Sequence, residues 1–158
     1  MRTAQIGRCG ELLVQYHLLL HGIESSAMAT DSGVDLVAYS PKIERALTIQ
    51  VKTNLRPKPS GGTGRLAQDW WLRQDSPAEL VALVDLSTNR IWMFRHDELV
   101  EAAQQRPQGR LHFYFYVEDG YRPRIANGHF TDYARFQLGN RITDLFGVTS
   151  IESGMNVA

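Results

Sequence analysis

The sequence predicts an α/β fold, a single domain of 158 residues in which a central mixed β-sheet is flanked by helices. Three observations predict it. A helical pattern opens the chain, and a period-two pattern then marks two neighbouring strands at 34–39 and 47–52, the second alternating strictly between apolar and polar residues. A hairpin, a helix, an aromatic strand and a last amphipathic helix follow, which is the order of a layered α/β domain. With 43% hydrophobic residues, the chain can bury a full core.

The first helix carries Ile6, Leu12, Leu13, Val14, Tyr16, Leu18, Leu19 and Leu20, apolar around most of its circumference, so burial against a sheet is expected. Gly22 ends it, and Ile23 to Met28 should form the first strand. In the next strand Val34, Leu36 and Ala38 alternate with Asp35, Val37 and Tyr39. After a turn near Ser40 to Lys42, Leu47, Ile49 and Val51 alternate with Thr48, Gln50 and Lys52. Residues 56–64, RPKPSGGTG, hold two prolines and three glycines and predict an extended loop with neither helix nor strand. It lacks the Gly-Lys-Ser/Thr ending of a Walker motif, so the choice is between a linker and a mobile basic loop that closes on nucleic acid. Leu80 to Leu86 and Ile91 to Arg95 predict a hairpin with Val81, Leu83, Ile91 and Met93 packed inward. His96 to Gln105 predicts a helix, Leu111 to Val117 a strand, and Tyr133 to Phe146 a final amphipathic helix through Phe136, Ile142 and Leu145.

The residues that speak about chemistry lie between Asp31 and Thr53. Strand side chains alternate with period two, so Gln50 and Lys52 share a face, and Asp35 can join them where the two strands pair. One reading of this cluster is a solvated sheet face after a Ser32-Gly33 turn. The other is a site, because Thr53 and Asn54 follow directly and a second carboxylate, Glu11, sits upstream in the apolar helix. A buried carboxylate needs a cationic partner. Gly7 and Gly10 bracket Glu11 and would let the helix approach the sheet closely.

Gly10-Glu11, Gly33-Val34-Asp35-Leu36-Val37 and Gln50-Val51-Lys52-Thr53 together resemble the core of the PD-(D/E)XK nuclease superfamily, in the variant whose last motif reads Q-x-K. The set is similar to Holliday junction resolvase-like nucleases and to group I intron homing endonucleases of this fold. It covers roughly residues 6–54. The resemblance implies a restriction-endonuclease-like core and a metal-dependent endodeoxyribonuclease, with Mg²⁺ as cofactor and Mn²⁺ able to substitute. It also implies site residues. Asp35 is the central metal ligand, the Gln50 side-chain oxygen and the Val51 carbonyl complete the near shell, Glu11 serves a second metal or its water, and Lys52 acts on the attacking water. Many members carry an acidic residue where this chain has Gln50, whose amide offers an oxygen but no charge.

Charge distribution bears on the partner. Formal net charge is zero, but Lys42, Arg45, Lys52, Arg56, Lys58, Arg65 and Arg73 face only Glu44 and Asp69 within their own segment. The resemblance implies DNA as partner, and this basic segment beside the site is where it is expected to bind, with Arg56, Lys58 and Arg65 as nucleic-acid-binding residues. Trp70 and Trp71 are adjacent; one is expected in the core, the other on a base or at a subunit contact. Symmetrical double-strand cutting would need a homodimer or homotetramer, with the Leu111 to Val117 strand or an exposed tryptophan supplying the apolar contact.

A lone Cys9 excludes an internal disulfide framework and a cysteine-rich zinc site. The expected location is cytoplasmic, without membrane contact, since no apolar run has the length of a membrane span and Met1 to Ile6 is no signal peptide. His17 and His21 stand four apart on one helix face, but the HExxH glutamate is missing. Two alternatives to the nuclease remain, a nucleic-acid-binding domain with a degenerate site and a non-nuclease interaction module.

Overall fold

The computed structural model describes residues 1–30, 32–60, 62 and 64–149. A mixed five-stranded sheet lies at its centre. Helix α1 (Thr3–Leu20) leads into β1 (Glu24–Ala27), β2 (Leu36–Ser40) and β3 (Arg45–Asn54), an antiparallel run. The chain then leaves this sheet to build β4 (Lys58–Ser60) and β5 (Arg65–Arg73), and returns as β6 (Leu80–Asp85), which pairs with β3 in parallel. Strand β7 (Arg90–Arg95) closes the sheet in the order β1-β2-β3-β6-β7. Helix α2 (His96–Ala102) follows. Strand β8 (Arg110–Tyr116) joins the second sheet in the order β4-β5-β8, and α3 (Leu138–Phe146) ends the described fold.

Parallel strands need a long crossover, most often a helix. Here the crossover from β3 to β6 is the β4-β5 hairpin, and this is why a small sheet rather than a helix covers one face of the central sheet. Helices α1 and α3 cover the other face. Leu36, Ala38, Leu47, Ile49, Val51, Ala82 and Met93 pack there with Val14, Leu18, Ile142 and Phe146. On the opposite face Val81, Leu83, Trp92 and Phe94 meet Trp70, Leu72, Leu111, Phe113 and Phe115 from the small sheet. Strand β6 is buried along its whole length, as a strand with a packed layer on each face must be.

Helix α1 stops in a Schellman motif. Gly22 takes φ +73, its N–H donates to Leu19 O at 2.9 Å, and Ile23 N–H donates to Leu18 O at 3.0 Å. Gly10 is a close-approach position, since a Cβ there would lie 1.9 Å from Thr53 Oγ1 on β3. Gly7 meets nothing within 4 Å and plays no such part.

Several expectations need correction. Helix α1 buries only Gly10, Val14 and Leu18, while Leu12, Tyr16, Leu19 and Leu20 are exposed. Residues 58–60 form a strand despite Pro59, because β4 is an edge strand, where a missing N–H breaks no interior ladder. Strand β5 was hidden by Gln68 and Asp69, which interrupt its apolar alternation. Val81 and Leu83 lie on the opposite face from Ile91 and Met93, because Val81 pairs with Phe94 and Ala82 with Met93. The stretch from Tyr133 to Phe146 is two helices. A 3₁₀ segment spans Phe130–Phe136, and the extended Gln137 (ψ 138) separates it from α3. Leu111, Phe113 and Phe115 are fully buried within their own chain and so offer no apolar contact to another.

Candidate functional site at the end of strand β3

Strand β3 splits its side chains between two environments. Leu47, Ile49 and Val51 enter the helix-side layer, so Gln50 and Lys52 point to the opposite face by strand alternation. They line an open cleft of about 640 Å³ bordered by strands of both sheets, together with Trp71, Arg73, Asp75, Arg110, Gly33 and Pro77. Gln50 is 7% exposed, and its Oε1 is buried without a hydrogen-bond partner among the described residues. Lys52 is half-buried and has no carboxylate partner among them.

Asp35 stands immediately before β2. Its N–H donates to Ile49 O and its carbonyl accepts from Met28 N–H, both at 2.9 Å. In a regular strand both groups of one residue face the same neighbour, whereas here one faces β3 and the other β1. This irregularity aims the carboxylate at β3, where Asp35 Oδ2 accepts from Val51 N–H at 2.6 Å. The carboxylate therefore caps the edge of β3 just beyond its pairing with β2, beside the residue that separates Gln50 from Lys52.

Glu11 lies one residue past the Gly10 contact with Thr53, near the end of β3, but its hydrogen-bonded partner is Arg8, one turn back at 2.7 Å. Neither Glu11 nor Asp35 is among the described residues lining the cleft. The structure thus brings Asp35, Gln50, Val51 and Lys52 to one end of β3. Glu11 stands nearby, engaged with its own helix.

The basic segment is less free than its sequence suggests, because acids that lie outside it meet it. Arg45 pairs with Glu79, Arg73 with Asp75 at 2.8 Å, and Arg65 with Glu118 at 2.8 Å. The Leu66 N–H and Arg65 hold the Glu118 carboxyl below the usual carboxylate range. Arg56 and Lys58 are exposed on the approach to β4 and at its start. None of Arg56, Lys58 and Arg65 is among the cleft's described lining residues.

Sequence reasoning missed Arg110 as a cleft residue and Gln68, which is 1% exposed with both amide atoms unpartnered. Gln68 shares a strand face with Trp70 and Leu72, so it points into the layer between the sheets. The aromatic alternation of β8 was the signal for a second sheet, and through it for β5 and this cleft. Of the two tryptophans, Trp70 is core and Trp71 is 37% exposed, stacked on His112 with centroids 4.0 Å apart.

Among the described residues no group of three or more His, Cys, Asp or Glu side chains is placed to hold a metal. The donors near β3 are instead mixed, carboxylate and amide. No helix among them is long and apolar enough to cross a membrane.

Known structures place the fold. The chain is similar to the bacterial homing endonuclease I-Ssp6803I, with a TM-score of 0.54 and 17% identity over 81% of this chain and 86% of that one. It thus shares the mixed-sheet α/β fold of that nuclease. A weaker likeness, to MepB, has a TM-score of 0.31 and 10% identity over 87% of this chain and 97% of that one. No family profile matches the chain, and no curated protein matches it by sequence.

Proposed function

We propose that this chain is a metal-dependent endodeoxyribonuclease of the PD-(D/E)XK superfamily, in its Q-x-K variant, hydrolysing DNA phosphodiester bonds. The observation that carries the reading is Gln50 Oε1, a buried oxygen with no partner among the described residues, on the strand whose Val51 N–H holds the Asp35 carboxylate. An unsatisfied buried acceptor costs about 1–3 kcal/mol, and a hard cation bound there would return that energy. The donor set fits such a cation. Asp35 supplies charge, Gln50 a neutral oxygen, and the Val51 carbonyl emerges from the same strand edge as its N–H. Glu11 would serve a second ion or orient its water. The fold likeness to a homing endonuclease supports the reading as analogy.

A bound Mg²⁺ or Mn²⁺ would supply Lewis acidity at a phosphoryl oxygen and a more acidic water. The chain's own residues do the rest. Lys52 points from β3 into the cleft, where its ammonium orients the attacking water and offsets the charge that grows on the phosphoryl oxygens. Gln50 fixes one wall of the site, and Asp35 is locked in place by Val51 N–H. Arg56, Lys58 and Arg65 would add phosphate contacts outside the cleft. Cutting both strands symmetrically calls for two or four copies, which sedimentation at working concentration would reveal.

Thermal melting with Mg²⁺, Mn²⁺ or chelator, read beside cleavage of plasmid, junction and single-stranded DNA, tests the proposal. Each metal should raise the melting temperature of the wild type but not of Asp35→Asn, and cleavage should follow the same pattern. Metal-independent melting together with full cleavage in chelator would refute it.

A second reading rests on one observation. Glu11 is ion-paired to Arg8, which leaves the site with a single committed carboxylate, as a degenerate nuclease that still binds DNA would have. That protein would bind DNA with a strong salt dependence and leave every substrate uncut.

A further inference from the structure

The cleft beside Gln50 and Lys52 has a second cation, Arg110, whose setting differs from that of Arg73, the other arginine among its described lining residues. Arg73, on the same wall, is held by Asp75 through two hydrogen bonds of 2.9 and 2.8 Å, so its charge is neutralised. Arg110 has no carboxylate partner among the described residues. Its guanidinium carbon lies 5.1 Å from the centroid of the Trp71 ring.

That ring is itself fixed. Trp71 stacks on His112 with centroids 4.0 Å apart and planes 7° from parallel. His112 in turn places Nε2 3.2 Å from Asp69 Oδ2 and Nδ1 3.4 Å from Gln105 Oε1. Strand register produces the arrangement, since Trp71 lies opposite His112 and Arg73 opposite Arg110 across the β5-β8 ladder. An aromatic seat restrains an arginine differently from an ion pair. It holds the cation without a countercharge, so the positive charge is not neutralised and the N–H donors are not taken up by a carboxylate. Those donors match a phosphate bidentately, and holding them in advance lowers the entropy lost on binding.

We propose that Arg110, seated over Trp71, is a positioning residue that grips a second phosphate of the strand whose scissile phosphate meets Lys52. The cleft that strands of both sheets border is then the track of the cleaved strand. Two unneutralised cations in one open cleft suit a ligand with repeated negative charge, and the two lining this cleft are Lys52 and Arg110. The proposal rests on the nuclease reading above and adds the direction in which the strand runs, from β3 toward the β8 end of the small sheet.

The test uses the full chain and a fluorescein-labelled duplex. Binding is measured by anisotropy in chelator at several salt concentrations, and cleavage in Mg²⁺ gives kcat and KM. Arg110→Ala should weaken binding about tenfold and lower the salt slope by about one, with the loss in KM and little in kcat. Arg110→Lys should recover the slope but only part of the affinity, because the charge returns without the planar fork. Trp71→Ala should weaken binding at an unchanged slope, since the charge stays and its seat is lost. If wild type binds and cuts while Arg110→Ala keeps its full slope and KM, this inference fails and the nuclease reading stands. If wild type neither binds nor cuts, both fail. A melting temperature that drops in step with affinity in Arg110→Ala would make the residue structural and also overturn the proposal.

Discussion

On the helix side of the central sheet, β3 gives Leu47, Ile49 and Val51 to a layer in which Phe146 is the one aromatic among the described members. On the other side the same strand gives Gln50 and Lys52, bordering a layer of Trp70, Trp92, Phe94, Phe113, Phe115, Tyr133 and Phe136. Polar atoms divide in the same way. Gln50 Oε1, both amide atoms of Gln68, and the indole nitrogens of Trp70 and Trp92 are buried and unpartnered on the aromatic side. On the helix side the corresponding atoms among the described residues are Thr53 Oγ1, beneath Gly10, His21 Nδ1 at the end of α1 and Arg141 Nε on α3, none of them on a side chain that borders the cleft. Each such atom costs about 1–3 kcal/mol, so the inter-sheet layer carries an energetic burden that packing alone does not explain. A two-residue period along β3 separates an apolar, helix-covered layer from an aromatic one that leaves more buried polar atoms unpaired among the described residues.

The sharpest way to break this contrast is to change one residue on each face of β3. Lys52→Ala should lower single-turnover cleavage by about 10²–10³-fold, in the range of losing one aimed charge at a reacting centre, with a melting temperature close to wild type. Asp35→Asn should behave alike, because the amide oxygen still accepts from Val51 N–H while the charge is gone. Ile49→Ala should do the opposite. It should cost about 2–5 kcal/mol of stability in urea unfolding and leave the rate per folded molecule nearly intact. Equal losses of stability and rate in all three variants would mean that the two faces do not divide their work.

Gln50→Glu sharpens the comparison from within the aromatic side. A carboxylate at a position only 7% exposed and without a donor is unfavourable in the apo protein, so melting in chelator should fall by several degrees. Mg²⁺ should restore the loss and raise melting beyond the wild-type increment, since binding to the folded state alone adds stability by mass action. An identical response of both proteins to Mg²⁺ would remove Gln50 from the ligand set.

These two faces were unequally legible in the sequence. Strict alternation over 47–52 made the period plain, and Gly10 opposite Thr53 confirms why a small residue precedes Glu11. The three antiparallel strands, the hairpin and the aromatic strand all follow from local pattern. The second sheet does not, because its central strand β5 carries Gln68 among the buried positions and its edge strand β4 contains a proline. Those features are local exceptions that only tertiary pairing with β8 accounts for. The same limit hid Arg110, which lies 58 residues past Lys52 in the chain. It also hid the neutralisation of Arg65 and Arg73, by Glu118 and Asp75, since charge counts along a segment are blind to partners beyond it.

Gly10 offers a smaller test, on the helix side. A Cβ at this position would meet Thr53 Oγ1 at 1.9 Å, Cγ2 at 2.8 Å and Cβ at 2.9 Å, so rotating the threonine cannot clear it. The helix must shift away from β3. Gly10→Ala should therefore destabilise by about 1–2 kcal/mol, overpacking outweighing the roughly 1 kcal/mol of helix propensity gained. Thr53→Ala in the same chain removes the two nearest atoms and should recover part of that loss, a coupling visible in a double-mutant cycle. Simple additivity would show that α1 and β3 do not touch there.

The smallest expected effect is a dependence of stability on mild acid, and it also belongs to α1. Burial holds the imidazoles of His17 and His21 below their ordinary value of 6.5, and the neighbouring His21 lowers His17 further. The unfolded chain therefore takes up protons at these positions first as pH falls through about 6.5. Their stabilising contribution is complete above that pH and is lost below it, until the folded protein is protonated as well. Asp144, held down by Arg95, and Glu118, held down by the Leu66 N–H and Arg65, have the same sign but act at lower pH, below ordinary values of 3.8 and 4.5. The two windows are separate. Urea midpoints measured at about pH 7.5 and about pH 5.5 should thus fall slightly for the wild type and stay level for His17→Gln/His21→Gln, the size being small because both residues remain partly exposed. A wild-type midpoint that does not change between those pH values, or a double variant that falls as far, would show that the helix face carrying these histidines is indifferent to their charge.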